Sequence, residues 1–594
     1  MRLLATTSLT KLWNGSENII FLGEWCKTFE TRKKWLDKDY LTLCHHWTNK
    51  EKLYRDYKYL TNLNDKIISY LTKKLNIYHN INYNEKCWRV IIGAWMPMYL
   101  SSMFDRWESL RIFFDKYNDS QFTYDFNIQG NIFYNYGFTD YVDKVVSNDF
   151  WNHKNFIRII NYKYKKKIKI KLINYNETTP KITNEKNNLK KNKISEIIKK
   201  IIFKFDDLLS FIGIRINPII IENFYHSRKN LMQIFLRSRI FPAFYTNTFS
   251  EKKFKTEKIK NINLDDRKNL FSSIESKNEF ENYLFKCIIT DFPISYFEKF
   301  KEIKISNQKF TKSKKEKIFT KTSYISNERF KIWLAEMMHN GSKLYIGKHG
   351  GCFQSELNGS LGLTSIVADK ILTWNATRET NEMQLSPIEL FKVQKTKNKK
   401  KKENLLIVNA ETARYPCKIQ SHPFAEEYKI NFNELCHLIR NLSPNIRQNI
   451  IYRSNNLGYN TSAQLNNLFS NLSTKNYENS TLIDNINRSK LAICTYPETA
   501  ISELIIADIP TVIFFSRDLY QLNKDSNKVL DDLKKAKVYF EDKEQISEHI
   551  NKIWDNPLEW WKSNQTTTSI NELKKFAFHL RNNWLDEWSS FIKS

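Results

Sequence analysis

The stretch that decides the fold class is Ala492–Phe515, AICTYPETAISELIIADIPTVIFF. An apolar run ends at Tyr496-Pro497, where the chain turns. A helical stretch starts near Glu498, and Pro510 opens a second apolar run. Because proline suits the first positions of a helix, the pattern predicts strand, turn, helix and strand. Such a unit joins two parallel strands by a right-handed crossover, which places the start of the helix at the carboxyl edge of a sheet.

Apolar runs of the same kind recur upstream, with helical patterns between them. They are KLYIG at 343–347, KILTW at 370–374, NLLIVNA at 404–410, QNIIYR at 448–453 and KLAICTY at 490–496. Alternating strands and helices predict an α/β protein with parallel sheets in two Rossmann-like domains. A basic linker at 391–403 separates an N-terminal domain at 1–390 from a C-terminal domain with terminal helices at 404–594. Ligands of such sheets bind beyond the carboxyl ends of the strands.

The N-terminal domain is expected to carry helical additions and lysine-rich insertions. A strand is predicted at 18–22, and helices follow it. The stretch 87–114 is predicted to be a pair of helices with a break or kink at Pro97. The Lys/Asn-rich stretch 160–205 lacks patterned apolar residues, so we predict an insertion there that folding does not need. A second basic stretch, 301–319, is predicted to be an exposed connection.

The composition limits the class of protein. The chain has 594 residues, 41% of them hydrophobic, and a formal net charge of +30. Lys, Asn and Ile are enriched together, as A/T-rich codons would produce, so we expect no nucleic-acid partner. A basic face that attracts anionic lipid or a nucleotide sugar stays open as the alternative. The sequence contains no run of ~18 apolar residues, so it predicts no membrane-spanning helix. The expected location is the cytoplasm, with peripheral contact at the inner membrane as an open alternative.

The chemistry-bearing motifs predict no metal and no cofactor. Cysteines are scattered without a CxxC pair, and the adjacent His45 and His46 have no third metal ligand at a recognisable spacing. Neither a Walker A motif nor a GxSxG elbow occurs in the sequence. A GxGxxG fingerprint is absent too, which argues against nicotinamide chemistry.

The helix start after Pro497 is a candidate phosphate site, because helix N-termini offer free N–H groups and a positive dipole end. Thr499 and Ser502 add hydroxyls there. Glu498 and Glu503 could accept hydrogen bonds from ribose or sugar hydroxyls. An ordinary βαβ unit without a ligand is an equally open interpretation.

Two further donor-side candidates follow other strands of the C-terminal domain. Arg453 ends the strand at 448–453 and could contact a phosphate. His422, in the segment ETARYPCKIQSHPF, could line the cleft.

Two strand ends in the N-terminal domain supply candidates for a catalytic base. YIGKHGG places His349 at a strand end beside Gly350 and Gly351, which let the backbone approach a ligand and adopt positive φ. FLGEWC places Glu24 at another strand end. Ordinary turn residues are the alternative in both cases.

Taken in order, MRLLATTSLTKLW, IIFLGEWC, CWRVIIGAW, YIGKHGG, ADKILTW and TYPETAISELIIADIPTVIF resemble a transferase family of bacterial O-antigen and surface-carbohydrate gene clusters, of the Leptospira type. The resemblance covers both ends and most of the middle. It implies a GT-B-like transferase of polysaccharide assembly, and we predict a metal-independent glycosyltransferase. Such an enzyme would take a nucleotide-activated sugar donor and a lipid-linked or oligosaccharide acceptor of surface-polysaccharide assembly.

Two other functions fit the same two-domain shape. A sugar-nucleotide epimerase can share it, and so can a non-catalytic nucleotide- or carbohydrate-binding protein of the same pathway. Fold alone does not separate these chemistries.

Overall fold

In the computed structural model the described residues form three parallel sheets of five strands each. The described ranges are 2–13, 18–117, 120–125, 134–173, 193–222, 227–245, 248–256, 262–312, 316–348, 350–394, 403–469 and 480–594. The α/β class with parallel strands is therefore confirmed. The N-terminal 390 residues contain two of the sheets, where the sequence predicted one Rossmann-like unit.

The first sheet has the order β3-β2-β1-β4-β5. Its strands are Arg2–Ala5 (β1), Asn18–Phe21 (β2), Asp39–Thr42 (β3), Ser120–Asp125 (β4) and Lys169–Ile173 (β5). The strand order reverses between β1 and β4, as in doubly wound folds. Only β2 was predicted, because the other strands are short and, at the sheet edges, half exposed.

The second sheet follows the chain order, β10-β9-β8-β7-β6. Its strands are Ile219–Ile221 (β6), Lys317–Thr320 (β7), Lys343–Gly347 (β8), Lys370–Thr373 (β9) and Glu382–Gln384 (β10). The predicted strands at 343–347 and 370–374 are β8 and β9. The stretch 301–319, predicted as an exposed connection, instead contains the helix Phe300–Asn307 and the start of β7.

The third sheet has the doubly wound order β12-β11-β13-β14-β15. Its strands are Asn404–Val408 (β11), Ile450–Arg453 (β12), Ser489–Cys494 (β13), Thr511–Phe514 (β14) and Tyr539–Phe540 (β15). The unit read at 492–515 is β13, the helix Thr499–Ile506 and β14. Leu406 and Val408 pack on one face, Leu405 and Ile407 on the other. Burial on both faces explains the continuous apolar runs.

Helices cover the faces of these sheets. Up to residue 394 they are Lys50–His79, Glu85–Ile92, Trp95–Lys116, Phe138–Val145, Asp149–Ile159, Lys193–Ile216, Arg228–Ser238, Lys252–Thr256, Leu264–Phe271, Glu279–Asp291, Phe300–Asn307, Ser323–Ser326, Glu328–His339, Leu363–Val367 and Phe391–Gln394. Beyond residue 403 they are Glu426–Asn441, Pro444–Gln448, Thr461–Leu468, Leu482–Arg488, Thr499–Ile506, Lys524–Lys535, Lys543–Ile553, Pro557–Trp561, Asn564–Ala577 and Trp584–Lys593. No helix in the described ranges is long and apolar enough to cross a membrane.

The last helix does not pack where the domain boundaries placed it. Trp588, Phe591 and Ile592 bury against the second sheet, on Ile219 and Phe319. The chain therefore returns to its N-terminal part after completing the third sheet. Residues 395–402 of the predicted linker lie outside the described residues. The predicted pair of helices is present as Glu85–Ile92 and Trp95–Lys116. The break between them falls at Gly93 and Ala94, and Pro97 lies in the first turn of the second helix, where proline is tolerated.

The boundary predicted for the insertion at 160–205 is also wrong. Residues 160–164 continue the helix Asp149–Ile159, and β5 pairs with β4 along its whole length. Residues 174–192 of that stretch lie outside the described residues. Tyr164 is buried and stacks on Phe114 at 4.0 Å between ring centroids. The start of the Lys/Asn-rich stretch thus belongs to the folded core.

Replacing Tyr164 with Ala tests this corrected boundary. Loss of a buried aromatic ring should lower the free energy of unfolding by ~3–5 kcal/mol, because the transfer free energy is lost and a cavity remains. Urea denaturation of Tyr164→Ala measures it. The matched control is Lys166→Ala, at an exposed position two residues on. Equal stability of the two variants would support the original prediction that the insertion begins at residue 160.

Candidate functional site

The candidate site lies at the carboxyl edge of the third sheet, where the strand order reverses between β11 and β13. The segments after β11, β12 and β13 diverge there and leave a crevice, which is the usual ligand position in doubly wound sheets. Two cavities occupy this crevice. Both are lined by Ala410, Asn455, Tyr496 and Glu498, so they adjoin.

The strand-end cavity, of about 370 Å³, is lined mainly by the ends of β11 and β12 and the residues that follow. Asn409, Arg453, Ser454 and Ser462 give it a polar wall. Its size and polarity suit a small polar ligand. Arg453 is also held from one side, since its guanidinium donates to the Ser480 carbonyl at 2.8 Å.

The interface cavity, of about 360 Å³, lies between the third sheet and the N-terminal helices. Met98, Val142 and Val146 line it from the N-terminal side. The segment 410–424 lines it from the other side. The two cavities thus form a crevice with one wall on the third sheet and, at its outer end, a second wall from the N-terminal part.

Glu411 orders the loops around the crevice. Its buried carboxylate accepts hydrogen bonds from the Leu457 N–H at 2.8 Å and the Tyr459 N–H at 3.1 Å. It also accepts from the backbone and hydroxyl of Thr461, at 2.7 and 2.8 Å. These bonds tie the loop after β11 to the loop after β12. A carboxylate so fully engaged serves the structure of the site, because it has little capacity left for a ligand.

Arg414 joins the same loop to the first sheet. The buried guanidinium contacts both carboxylate oxygens of Asp149, at 3.1 and 2.6 Å. It also donates to the Ser8 hydroxyl and the Trp25 carbonyl. Burial raises the pKa of Asp149, but the Arg414 charge and its hydrogen bonds outweigh burial and keep the pKa below its ordinary value. Asp149 therefore stays ionised and the pair persists at neutral pH.

His422 lies in the interface cavity beside Glu498. Its Nε2 is 3.5 Å from Oε1 of Glu498, and its ring packs edge-on to Tyr520. Burial lowers the pKa of His422 below its ordinary value of 6.5, although Glu498 opposes the shift. The imidazole is therefore largely neutral at pH 7 and can accept a proton. His422 was predicted to be a donor-side residue, but it lines the interface cavity and not the strand-end cavity.

The residues predicted to bind the donor do not all line the crevice. Glu498 lines both cavities and Arg453 lines the strand-end cavity. Glu503 is half-buried and lines neither of them. Burial raises the pKa of Glu503, while the charge of Arg453 opposes that shift.

Thr499 and Ser502 bind the glycine loop. The Gly351 N–H donates to the Thr499 hydroxyl at 3.0 Å, and the Ser502 hydroxyl donates to the Gly351 carbonyl at 3.0 Å. Gly351 has a φ of +130°, and a Cβ on Gly350 would overlap the Thr499 hydroxyl. The two strongest sequence motifs therefore contact each other. Their close approach serves packing, where we had predicted hydroxyls turned to a phosphate.

His349 lies outside the described residues, so its predicted place across the cleft from Glu498 stays a prediction. Its neighbours place the loop: Lys348 forms an ion pair with Glu382 at 2.8 Å, and Gly350 adjoins Thr499.

Glu24 does not lie with the other candidates. Its buried carboxylate pairs with Lys27 and Lys429, each at 2.9 Å. The residue lines neither cavity of the crevice. With an ammonium group on each oxygen, this carboxylate links β2 to the helix Glu426–Asn441, which disfavours its predicted role as a base.

The adjacent histidines meet a carboxylate that the sequence did not indicate. Asp105 accepts from Nε2 of His45 at 2.5 Å and lies 3.2 Å from Nε2 of His46, all three groups being buried. Nδ1 of His45 accepts from the Trp47 N–H, so its proton resides on Nε2 and points at Asp105. A metal ion at these three groups would have to displace that proton. Burial, then the neighbouring His45, lowers the pKa of His46 to about 4. The pattern favours a hydrogen-bonded core.

Sequence reasoning missed Asn409, a polar residue that lines the strand-end cavity. Asn409 donates to the Tyr452 hydroxyl at 2.7 Å and accepts from the Thr495 hydroxyl at 2.6 Å. These bonds connect the ends of β11, β12 and β13. Its place directly after an apolar strand was the available signal.

Comparison with known families decides the relationship. A family model described as LIC12162 family transferase matches residues 2–592. The chain belongs to the LIC12162 transferase family. A search of curated proteins gave no match.

Solved structures similar to this LIC12162 family member are distant. A Listeria monocytogenes protein described as a UDP-N-acetylglucosamine 2-epimerase shares 9% identity, over 62% of this chain and 94% of that one, with a TM-score of 0.33. Acinetobacter baumannii MurG shares 15% identity over 49% and 76%, with a TM-score of 0.28. The wall teichoic acid polymerase TagF shares 11% over 67% and 96%, with a TM-score of 0.31. Likenesses of this size carry no argument about activity.

Substitution of Gly350 tests the contact between the glycine loop and the helix start. Gly350→Ala should lower the free energy of unfolding by ~1–3 kcal/mol, because the new methyl group overlaps the Thr499 hydroxyl. Thr499→Ala alone loses a hydrogen bond worth ~1 kcal/mol.

The double variant is the control. Removing the Thr499 hydroxyl makes room for the methyl group, so the two effects should be less than additive in urea denaturation. Strict additivity would show that the loop does not rest on Thr499.

Proposed function

We propose that this protein is a glycosyltransferase. It transfers a sugar, or a related group, from a nucleotide-activated donor to an acceptor of O-antigen or other surface-polysaccharide assembly in the cytoplasm. The single observation behind the proposal is the pair of adjoining cavities, one polar and on the third sheet, the other shared with the N-terminal helices. A transferase needs two such subsites with a common wall, and membership of a transferase family supports the reading.

The donor occupies the strand-end cavity in this proposal. Arg453 is the cation at its wall, and a guanidinium can bind a diphosphate with two parallel hydrogen bonds. Ser454 and Asn455 add polar groups suited to ribose or base edges. The helix Thr499–Ile506 begins at this cavity, and its dipole favours the negative charge of the phosphates.

The acceptor, lipid-linked or an oligosaccharide, enters the interface cavity, where His422 acts as general base. Nε2 faces the Glu498 carboxylate and carries the proton of the neutral ring, so Nδ1 takes the proton of the acceptor hydroxyl as that oxygen attacks the anomeric carbon. The bond from that carbon to the donor phosphate breaks, and the nucleotide leaves with the electron pair. Glu498 stabilises the imidazolium that forms, and Arg453 stabilises the leaving phosphate. Each of these groups belongs to the chain itself, so we propose turnover without a metal ion.

A sugar-nucleotide epimerase would use the same donor cavity but no acceptor. Incubation of the protein with a panel of nucleotide sugars, with and without a saccharide acceptor, separates the two activities. Turnover that depends on the acceptor supports the transferase. Conversion of the nucleotide sugar alone supports the epimerase, and binding without turnover supports a non-catalytic protein. Addition of a chelator to the active reaction tests metal independence.

Replacement of His422 with Ala should reduce turnover by ~10²–10⁴-fold, the usual size of a proton-transfer contribution. Donor affinity should stay nearly unchanged, because His422 lines the other cavity. The wild-type rate should be constant above pH 6.5 and fall as the pH drops through the lowered pKa of His422, since only the neutral imidazole accepts a proton. Steady-state kinetics between pH 5 and 8 measure both effects.

Glu24→Gln is the comparison variant for the base. Its carboxylate already pairs with two lysines away from the cavities, so turnover should change by only a few-fold. The assignment fails if His422→Ala loses only a few-fold, or if Glu24→Gln loses as much as His422→Ala.

Arg453 supplies a separate test of the donor cavity. Arg453→Gln should weaken donor binding by ~1.5–3 kcal/mol, the range for hydrogen bonds to charged groups. Isothermal titration with the active nucleotide sugar measures the change. Arg440→Gln, on the neighbouring helix Glu426–Asn441 and outside both cavities, is the matched control. Unaltered affinity in Arg453→Gln would contradict the donor assignment.

A further inference from the structure

The helix Lys193–Ile216 turns an apolar stripe toward solvent. Ile201, Phe205, Leu208 and Ile216 are 63%, 60%, 55% and 60% exposed. Their spacing of four, seven and fifteen residues from Ile201 places them on one helix face. Ile202 and Phe211 are exposed on either side of this face. A contiguous exposed patch of large apolar groups marks an interaction surface, whereas single exposed residues do not.

The same helix attaches to the protein through its opposite face, where the buried Ile214 follows two polar residues at helical spacing. Asp206, buried, pairs with Arg228. Ser210, also buried, donates to the Phe244 carbonyl at 2.8 Å, and Asn217 donates to the Phe241 carbonyl at 2.8 Å. A surface helix normally buries its apolar stripe and exposes its polar face. Here the attached face carries these polar contacts beside Ile214 and Leu209, and the larger apolar stripe stays on the solvent side.

Positive charge borders the stripe. Lys204 and Arg215 are exposed and lie roughly 60–80° around the helix from its centre, at ~100° per residue. Lys309 is exposed next to Arg215, whose guanidinium donates to the Lys309 carbonyl at 3.2 Å. The whole chain has a formal net charge of +30. Exposed apolar side chains bordered by cations match an anionic bilayer surface, which offers both an acyl boundary and negative headgroups.

We propose that residues 201–216 form a membrane-surface docking helix. The helix lies in the plane of an anionic bilayer, with the stripe at the boundary between headgroups and acyl chains and with Lys204 and Arg215 at the headgroups. A second copy of the chain fits the stripe less well. Lys204 and Arg215 border the stripe on the same side, so an antiparallel pair of these helices would bring the cations of one copy beside those of the other. The inference rests on this helix alone and is independent of the proposed activity.

Vesicle co-sedimentation of the full-length protein tests the proposal. The wild type should bind vesicles made of equal parts phosphatidylcholine and phosphatidylglycerol, and should bind phosphatidylcholine vesicles weakly. The double variant Phe205→Ser and Leu208→Ser should bind the anionic vesicles at least ~10-fold less, because two inserted side chains are lost. Lys204→Glu with Arg215→Glu should also bind less and lose most of the preference for the anionic lipid.

The matched control removes comparable exposed apolar groups elsewhere. Ile77→Ser with Leu236→Ser changes two side chains that are 78% and 70% exposed on other helices, and its vesicle binding should equal that of the wild type. Melting temperatures of all variants confirm folding. Equal binding by the stripe variant and this control overturns the proposal. Wild-type protein that ignores vesicles but forms a dimer, lost in the stripe variant, overturns it in favour of a second copy. Donor turnover, measured in parallel without lipid, reports only on the proposed activity.

Discussion

The crevice depends on one buried contact, the guanidinium of Arg414 on the carboxylate of Asp149. Arg414 follows β11 of the third sheet, and Asp149 begins a helix that covers the first sheet. A buried ion pair costs desolvation on both sides, so its net stabilisation is small, but loss of one partner typically costs ~3–5 kcal/mol. Its main effect is geometric. The planar guanidinium donates to several acceptors in fixed directions, so it permits only one arrangement of the two parts. That arrangement places segment 410–424 opposite the N-terminal helices.

A second polar cluster repeats this construction a short distance away. Arg106 donates to the Pro416 carbonyl, to Asn152 and to Asp105. Burial alone would raise the pKa of Asp105, but Arg106 and His45 outweigh it and hold the pKa below its ordinary range. The segment 414–416 is thus held by two charged groups of the N-terminal part. Apolar contact alone would permit sliding of the two parts, whereas these directional bonds define their register.

Sequence reasoning identified the parts whose signals are local. The unit at 492–515 was readable because β13 and β14 are apolar on both faces and proline marks the turns. The first sheet was largely missed, since edge strands such as Asp39–Thr42 and Lys169–Ile173 carry exposed polar residues and lack an apolar run. For the site, the segments were found but their partners were not. Thr499 meets Gly351 across 148 residues of chain, and no local pattern predicts that a hydroxyl beside a helix start will face a loop rather than a ligand.

A comparison of Glu24, predicted as a base from the sequence, with His422, the base that we propose, shows why burial and pairing matter more than residue type. Glu24 and His422 each follow a strand end or loop of the kind that carries catalytic groups. The Glu24 carboxylate forms ion pairs with two ammonium groups, and both ion pairs would be lost if the carboxylate took up a proton. The imidazole of His422 lies beside Glu498, and the attraction between the two groups becomes stronger when the ring becomes charged. Proton transfer therefore breaks favourable contacts at Glu24 and creates one at His422. His422 and Glu498 also border the interface cavity, and Glu498 lines the strand-end cavity too, so the proposed base lies beside a residue common to both cavities.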